Sequence, residues 1–582
     1  MSDPGHGVRA HGADAPNSAA GGGRADGPIL TSIIANRLRS IGERMGVVVE
    51  RSARSPLLVE GRDFSVGIYD VDGTLVEQTE YIPVLGYATT PGMRAIAERF
   101  VGKVEPGDAI LHNDPYSGGN QLSDWKVTKP VFHEGEHVAW VVIVAHQADI
   151  GGAVPGTYNP NATDMWQEGL RIPPVKIMER GERRADVWEL IFGNVRLDIV
   201  ADDVDAMIGA CTVGEREMKA LLASYGTEAY RSAVAALLDA AERSAAEAIR
   251  RIEDGTYRAE LTVHDDGIDH DGEWTIRLEV RVTGERIAFD FAGTDAQATG
   301  YINTPRAVTI SSVMIAFFMI AEGEIPHNDG VLRRIEVLTP SGTLVNPEFP
   351  APTCFGNHVA DQLAAVIMLA LAPALPGRVT AGWNALLAST VNGTDPRSGR
   401  PYVDILLNAC KGGGGGTEGA DGFDHIGLIG SGGAIAAQDP EMFELVNPHL
   451  LHRYEYMPDS AGAGKWRGGL GVVTELEFLD DGAEASIFGD GDLPSTAAFG
   501  LFGGGPGSVN EIDFTYPDGH VHRPHLKDLV SGVPRGTVYR QVAGGGGGYG
   551  DPTERDRDTV RRDLRNGVIS TDAARDLYGL DD

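Results

Sequence analysis

Three cysteines in 582 residues are too few, and too scattered, for a disulfide framework. Cys211, Cys354 and Cys410 share no CxxC spacing, which also argues against a structural zinc site. Each is expected as a small buried hydrophobe rather than a nucleophile. Long hydrophobic runs are missing as well. The longest, residues 307–321 and 363–375, fall short of the ~20 residues that a membrane span needs. Thr309, Ser311 and Ser312 further interrupt the first, so both runs read as buried core helices. No apolar segment of a signal peptide opens the chain. Residues 1–27, rich in Gly, Ala and Asp, read as a disordered tail, and a cytoplasmic location is expected. Positive charge is in deficit: 49 Lys and Arg stand against 83 Asp and Glu, a net charge of −34. Such a balance repels nucleic acid and anionic membrane surfaces, so neither is an expected partner. No fixed-period repeat is present.

What is there begins with length and an apolar content of 42 %, enough for about three to four domains or one domain with large insertions. Ile29, Leu30, Ile33, Ile34, Leu38, Ile41, Met45 and Val48 recur at helical spacing and predict a helix that Ser55-Pro56 stops. Residues 63–69 and 138–145 have strand character. The stretch 105–176, rich in Gly, Pro, Asn and Asp, reads as strands joined by long ordered loops. Residues 202–253 predict two helices, and 257–264, 274–283 and 287–291 predict strands. The pattern is a multi-domain α+β fold, β-rich with helical blocks. It divides into a tail (1–27), an α+β region with the candidate site loops (28–200), a helical block (201–255), a central α+β region (256–440), a β-rich Gly-containing region (441–552) and a C-terminal helical segment (553–582).

Two tempting motifs fail on their own chemistry. His133-Glu134-Gly135-Glu136-His137 matches the HExxH pattern of zinc proteases, which requires a helix to put both His on one face. Gly135 and the flanking β-type runs predict a hairpin turning at Glu134-Gly135 instead. Gly462-Ala463-Gly464-Lys465 resembles the end of a phosphate-binding loop, but Asp459 replaces the first Gly and Trp466 the hydroxyl residue. No nucleotide site is therefore expected in this chain. The run 412–416 reads as flexible backbone.

One constellation survives. Asp114, Asp124, His146 and Asp149 fall within 36 residues of loop-rich chain, with His146 directly after an apolar strand. A His among carboxylates suits zinc, manganese or iron. The alternative is that these Asp residues cap turns, as Asp commonly does.

The strings His112-Asn113-Asp114-Pro115-Tyr116-Ser117-Gly118-Gly119, Ala145-His146-Gln147-Ala148-Asp149-Ile150-Gly151-Gly152 and Glu168-Gly169-Leu170-Arg171-Ile172-Pro173-Pro174 resemble the signature of the hydantoinase B family. That family includes the C-terminal half of 5-oxoprolinase and the large subunits of acetone and acetophenone carboxylases. The resemblance continues through Asn194-Val195-Arg196, Pro458-Asp459-Ser460 and residues 544–552. It implies a divalent metal site built from Glu60, ahead of Asp63-Phe64-Ser65, with Asp124, His146 and the residue at 121. Gln121 stands where the family carries His, and an amide oxygen is a weaker, neutral ligand. In a hydrolase reading Asp114 or Asp149 serves as general base, with Gly118, Gly119, Glu168 and Arg171 expected as substrate-binding residues.

The resemblance also implies a hetero-oligomer. A partner of the hydantoinase A type, an actin-like ATPase, uses the ATP, and this chain hydrolyses the activated cyclic amide, a small molecule. The carboxylase reaction and a non-catalytic scaffold with a degenerate site are the alternatives.

Overall fold

The amphipathic N-terminal segment forms one helix, Gly27–Ser52, in the computed structural model, which describes residues 27–79 and 81–580. Apart from Gly27, the tail expected for residues 1–27 lies outside the described residues. Ile34, Leu38, Ile41, Met45 and Val49 form the buried stripe of this helix. It packs along the helix Ile199–Tyr225, where Gly214 lets the Met45 side chain sit directly on the backbone. Both helices cover one face of a seven-stranded antiparallel sheet. The strand order is Leu75–Thr79, Phe64–Asp70, Glu136–His146, Asp124–His133, Ala109–His112, Val175–Glu179, Glu182–Arg183.

The centre of that sheet is the hairpin predicted from the failed protease motif. Strands Asp124–His133 and Glu136–His146 pair antiparallel, and His133 lies opposite Glu136. Glu134 and Gly135 have φ of 49° and 84°, both in the left-handed region that a tight two-residue hairpin turn requires. The motif's two His residues thus sit on adjacent strands, one on either side of the turn.

The helix Thr227–Ile249 leads into a four-stranded sheet, ordered Ile335–Leu338, Arg286–Asp290, Glu273–Thr283, Gly255–His264. The two apolar runs become the buried helices Arg306–Ile320 and Ala360–Leu371, which pack between this sheet and the first. Two further sheets enclose their own core. One is ordered Pro401–Ile405, Leu387–Thr394, Ala483–Gly489, Lys527–Val533. The other is ordered His449–Tyr456, Val472–Phe478, Val538–Ala543, Glu511–Thr515, Val521–His522. Two short helices, Arg557–Arg565 and Thr571–Asp576, close the described chain. Among the described residues, no helix is long and apolar enough to cross a membrane.

The glycine run 412–416 corrects an expectation. It is fully buried and lies against other glycine-rich segments, not free in solvent. Gly413 N–H donates to the Gly544 carbonyl at 3.0 Å, Gly416 to Gly547 at 2.9 Å, Gly469 to Gly414 at 2.8 Å and Gly546 to Gly469 at 3.0 Å. Backbone touches backbone with no side chain between, so local freedom is used up by tertiary packing. Gly462 of the rejected phosphate loop belongs to this bundle, donating to Gly546 at 2.8 Å, and Lys465 pairs with Glu554 at 3.0 Å.

Candidate functional site

Strand register assembles the site. Asp124, first residue of its strand, lies directly opposite His146, last residue of the next. Phe64 pairs with Ala145 on the other side, so Asp63 comes level with His146, and its carbonyl accepts the His146 N–H at 3.0 Å. Residues directly opposite in a sheet point to the same face. Asp63, His146 and Asp124 therefore form a row across three neighbouring strands at one end of the sheet.

His146 Nδ1 is 3.1 Å from Asp124 Oδ1 and 3.3 Å from Gln121 Nε2, and its Nε2 is 3.5 Å from the Thr157 hydroxyl. Asn120 donates to the other Asp124 oxygen, and Lys126 Nζ donates to Asn120 Oδ1 at 3.0 Å. A buried chain Lys126–Asn120–Asp124–His146 results. Burial pushes the Asp63 carboxyl up to about 6, with the Asp124 charge adding to the rise and His146 opposing it. Burial also disfavours the charged His146 ring, but the hydrogen bond and charge of Asp124, with Asp63 behind, outweigh it and raise the imidazole. Burial lowers Lys126 to about 8 against the pull of Asp124.

A cavity of about 40 Å³ adjoins this row. That volume holds a few water-sized groups, not a substrate ring. Its lining includes Asp63, Gln121 and His146, together with Tyr158, Asn357, His358 and Asp361 and residues from the segment 428–435. Asp361 sits in the first turn of the helix Ala360–Leu371. Its Oδ1 accepts the Gly430 N–H at 2.9 Å, and burial raises its carboxyl to about 7. The Tyr158 hydroxyl is 2.7 Å from His358 Nε2. Burial, then the charge of His146, lowers His358 to about 3, so its ring is neutral. Burial holds Tyr158 neutral, so its hydroxyl is available to donate to Nε2, an arrangement that leaves the ring proton on Nδ1. Among the described residues, Gln121 Oε1, Asn357 Oδ1, His358 Nδ1 and Asp361 Oδ2 are buried without a hydrogen-bond partner, and all four residues line this one cavity. Buried polar groups are rarely left unpaired, so their convergence marks a place prepared for a ligand.

Three of the four expected metal ligands come together here: Gln121, Asp124 and His146. Glu60 does not join them. It follows the short helix Pro56–Val59, and its acidic neighbours are Asp439 and Asp404. Asp63 occupies the place expected for it, because the strand register brings residue 63 level with His146. By donor type the set suits a divalent transition ion, although Asp63, Asp124 and His146 do not present ligand atoms all within 4.8 Å of one another. Asp63 and Asp124 are acceptors when ionised, Gln121 Oε1 is an orphaned acceptor, and one imidazole faces two carboxylates. Gln121 remains the weakest donor of the set.

The implied bases lie elsewhere and are engaged. Asp149 accepts from Arg196 N–H at 2.7 Å, Arg196 Nη1 at 3.1 Å, and Gly151 and Gly156 N–H at 3.3 Å. Asp114 caps the short helical turn Pro115–Ser117 and pairs with Arg171 Nε at 3.0 Å. Asp361 and His358 were missed because they follow residue 355, far from the signature strings.

The implied substrate residues are also apart from His146. A side chain at Gly118 would meet the Gly92 N–H at 2.4 Å, and one at Gly119 the Asn113 carbonyl at 2.5 Å. Both glycines serve close packing, and Gly118 lines a separate cavity of about 270 Å³ with Tyr116, Arg306 and Thr353. Arg171 also lies over the Phe349 ring at 4.9 Å. Glu168 is buried, with Oε1 accepting Thr353 N–H at 2.8 Å and Cys354 N–H at 2.7 Å. The three cysteines are buried free thiols, as expected of them.

Two variants test this reading of the burial. Lys126→Met leaves Asn120 Oδ1 without its donor and frees Asn120 to turn away from Asp124, so affinity for added divalent ion falls about 10–100-fold by calorimetry. Burial raises Glu168 to about 8 from the 4.5 it has when exposed. A carboxyl with a raised folded pKa stabilises the fold only while protonated, so its contribution is lost as pH climbs from about 4.5 towards 8. Glu168→Gln mimics the protonated acid. Thermal melts should show the variant gaining on the parent by up to about 4 kcal/mol at pH 8.5, with no gain at pH 4.

The family described as Hydantoinase B/oxoprolinase matches residues 27–552. The beta component of the caprolactamase of Pseudomonas jessenii is 36 % identical over 95 % of this chain and 96 % of its own length. The B component of a putative D-/L-hydantoinase from a Pseudomonas species is 30 % identical over 95 % of both chains. The crystal structure of the ATP-dependent caprolactamase from Pseudomonas jessenii superposes with a TM-score of 0.88 at 34 % identity, over 96 % of this chain and 97 % of that one. A nucleotide-free acetone carboxylase structure reaches the same TM-score at 20 % identity, over 95 % of this chain and 79 % of that one, a likeness of fold alone. By sequence over almost its whole length and by fold, the chain belongs to the hydantoinase B/oxoprolinase family.

Proposed function

We propose that this chain is the metal-site subunit of an ATP-dependent cyclic-amide hydrolase, acting in the cytoplasm on a substrate that a hydantoinase A-type ATPase subunit has activated. The observation that carries the reading is the cavity between the Asp63–His146–Asp124 row and the Tyr158–His358–Asp361 side, in a chain alike from end to end to the beta component of a caprolactamase.

The chemistry divides between two subunits. A ring amide resists water, and phosphorylation of its oxygen by ATP converts that oxygen into a leaving group. Water then adds to the ring carbon, the C–N bond breaks to release the amine and leave an acyl phosphate, and a second water cleaves that to a carboxylate and free phosphate. Asp63, Asp124, His146 and Gln121 would hold a divalent transition ion (zinc, manganese or iron), which would polarise the activated substrate and make water more acidic. Asp361, raised to about 7, takes the proton of the attacking water near neutral pH. His358 Nδ1–H donates to the developing oxygen charge, and Tyr158 fixes that tautomer. The cavity must widen to admit a ring, because it is too small for one.

The test uses the chain purified together with its ATPase subunit. Lactams and hydantoins should open only with both subunits and ATP, releasing ADP and phosphate in proportion. Incorporation of labelled bicarbonate into a ketone substrate, with no ring opening, would establish the carboxylase reaction instead. Turnover of ATP by this chain alone would overturn the division of labour.

A further inference from the structure

A second group of metal-ligating side chains lies away from the cavity. We propose that Asp265, His270 and His525 form a separate site for a divalent transition ion, which ties two loops of different sheets together. Asp265 and His270 belong to the loop between strands Gly255–His264 and Glu273–Thr283. His525 comes from the loop between Val521–His522 and Lys527–Val533, in the C-terminal sheets. One ligand atom from each residue lies within 4.8 Å of the others.

The ligand atoms are partly arranged already. His270 Nδ1 is 3.0 Å from Asp265 Oδ2, and the other Asp265 oxygen accepts the Gly267 N–H at 2.7 Å, which fixes the carboxylate. The His270 and His525 rings stack at 3.9 Å between centroids and 4° between planes. The loops are held together independently of any ion. Lys527 Nζ donates to the His264 carbonyl at 2.8 Å and lies 4.8 Å from the Phe355 ring centroid. An ion therefore meets loops whose approach is already paid for, and turning the two stacked rings out of their parallel arrangement closes the donor set.

The donor types select the ion. Two imidazoles and one carboxylate suit zinc, cobalt(II) or nickel rather than magnesium or calcium, which prefer all-oxygen shells. Three protein ligands leave a position open to water. The two loops are separated by more than 250 residues, so the link acts as a cross-brace between the sheet Gly255–His264 belongs to and the C-terminal sheets.

The experiment is a cobalt(II) and zinc titration of the full chain after chelator treatment, followed by calorimetry, metal analysis and thermal melting. His270→Ala and His525→Ala should each remove one bound ion per chain. Each should also abolish the part of the zinc-induced rise in melting temperature that persists in Asp124→Asn. His264→Ala, whose ring faces Glu273 at 3.6 Å, should change neither. Circular dichroism checks that the variants, exposed at both His positions, keep the fold. If His270→Ala and His525→Ala bind as many ions as the parent, the site does not exist. Because the readouts are stoichiometry and melting, the outcome is independent of whether the cavity opens cyclic amides.

Discussion

Replacing His146 with alanine lowers ATP-dependent ring opening by at least about 100-fold, because it removes a ligand of the ion that makes water more acidic. The same change removes the bound divalent ion at the cavity. The physical reason lies in the row across the sheet. His146 stands between Asp63 and Asp124, and its ring is the one imidazole opposing two buried carboxylates. Without it, both acids lose their nearest positive partner, and a carboxylate buried without a partner favours its protonated, non-ligating form. Metal analysis of the purified complex and steady-state kinetics read the two losses together. Unchanged metal content with full activity would remove this cavity from the mechanism. Gln121→His is the complementary gain. Its orphaned amide oxygen gives way to an imidazole, a better ligand for zinc or manganese, and affinity for the ion should rise by at least about 10-fold. If affinity does not rise, position 121 is not a ligand.

Gly546→Ala should yield no folded protein. A Cβ at Gly546 would lie 2.0 Å from the Gly414 carbonyl oxygen and 2.3 Å from its carbon. Both are backbone atoms, so no side chain can rotate away. Gly414 is itself held by Gly469, which donates to it, and Gly469 accepts from Gly546. Moving one strand moves the bundle. Overpacking typically costs about 1–3 kcal/mol and more where, as here, the obstacle is backbone, a large share of the roughly 5–15 kcal/mol that keeps a domain folded. Soluble yield and circular dichroism check the outcome. Gly209→Ala is the control. It lies inside the helix Ile199–Tyr225 with nothing within 4 Å of the added carbon, so stability should rise by about 0.5–1 kcal/mol. Equal behaviour of the two variants would mean that the glycine bundle does not pack as described.

The bundle also shows where reading residues in order fails. A run such as 412–416 has no local preference, and chain neighbours say nothing about what it touches. Its partners, near residues 469 and 544–547, are supplied by the fold. The cavity shows the same limit. His146 and Asp124 were legible because an apolar strand ends at one, and because a two-residue turn at Glu134-Gly135 sets their register. Asp63 was not, because its place depends on a third strand pairing with the hairpin. Glu60, three residues earlier, looked equivalent in the chain but faces Asp404 and Asp439. His358 and Asp361 reach the cavity from more than 200 residues away.

By itself, the sequence determined the family, the helical and strand periodicities, the hairpin, the buried fate of the cysteines and the lack of a complete phosphate-binding loop, because each of these follows from side-chain chemistry within a few residues. Tertiary structure alone decided that Asp63 stands beside His146, that Tyr158, His358 and Asp361 close the cavity opposite, and that loose-looking glycines form a buried bundle. Those outcomes depend on which distant segments are pressed together, and burial and strand register, unlike periodicity, are properties of the whole fold.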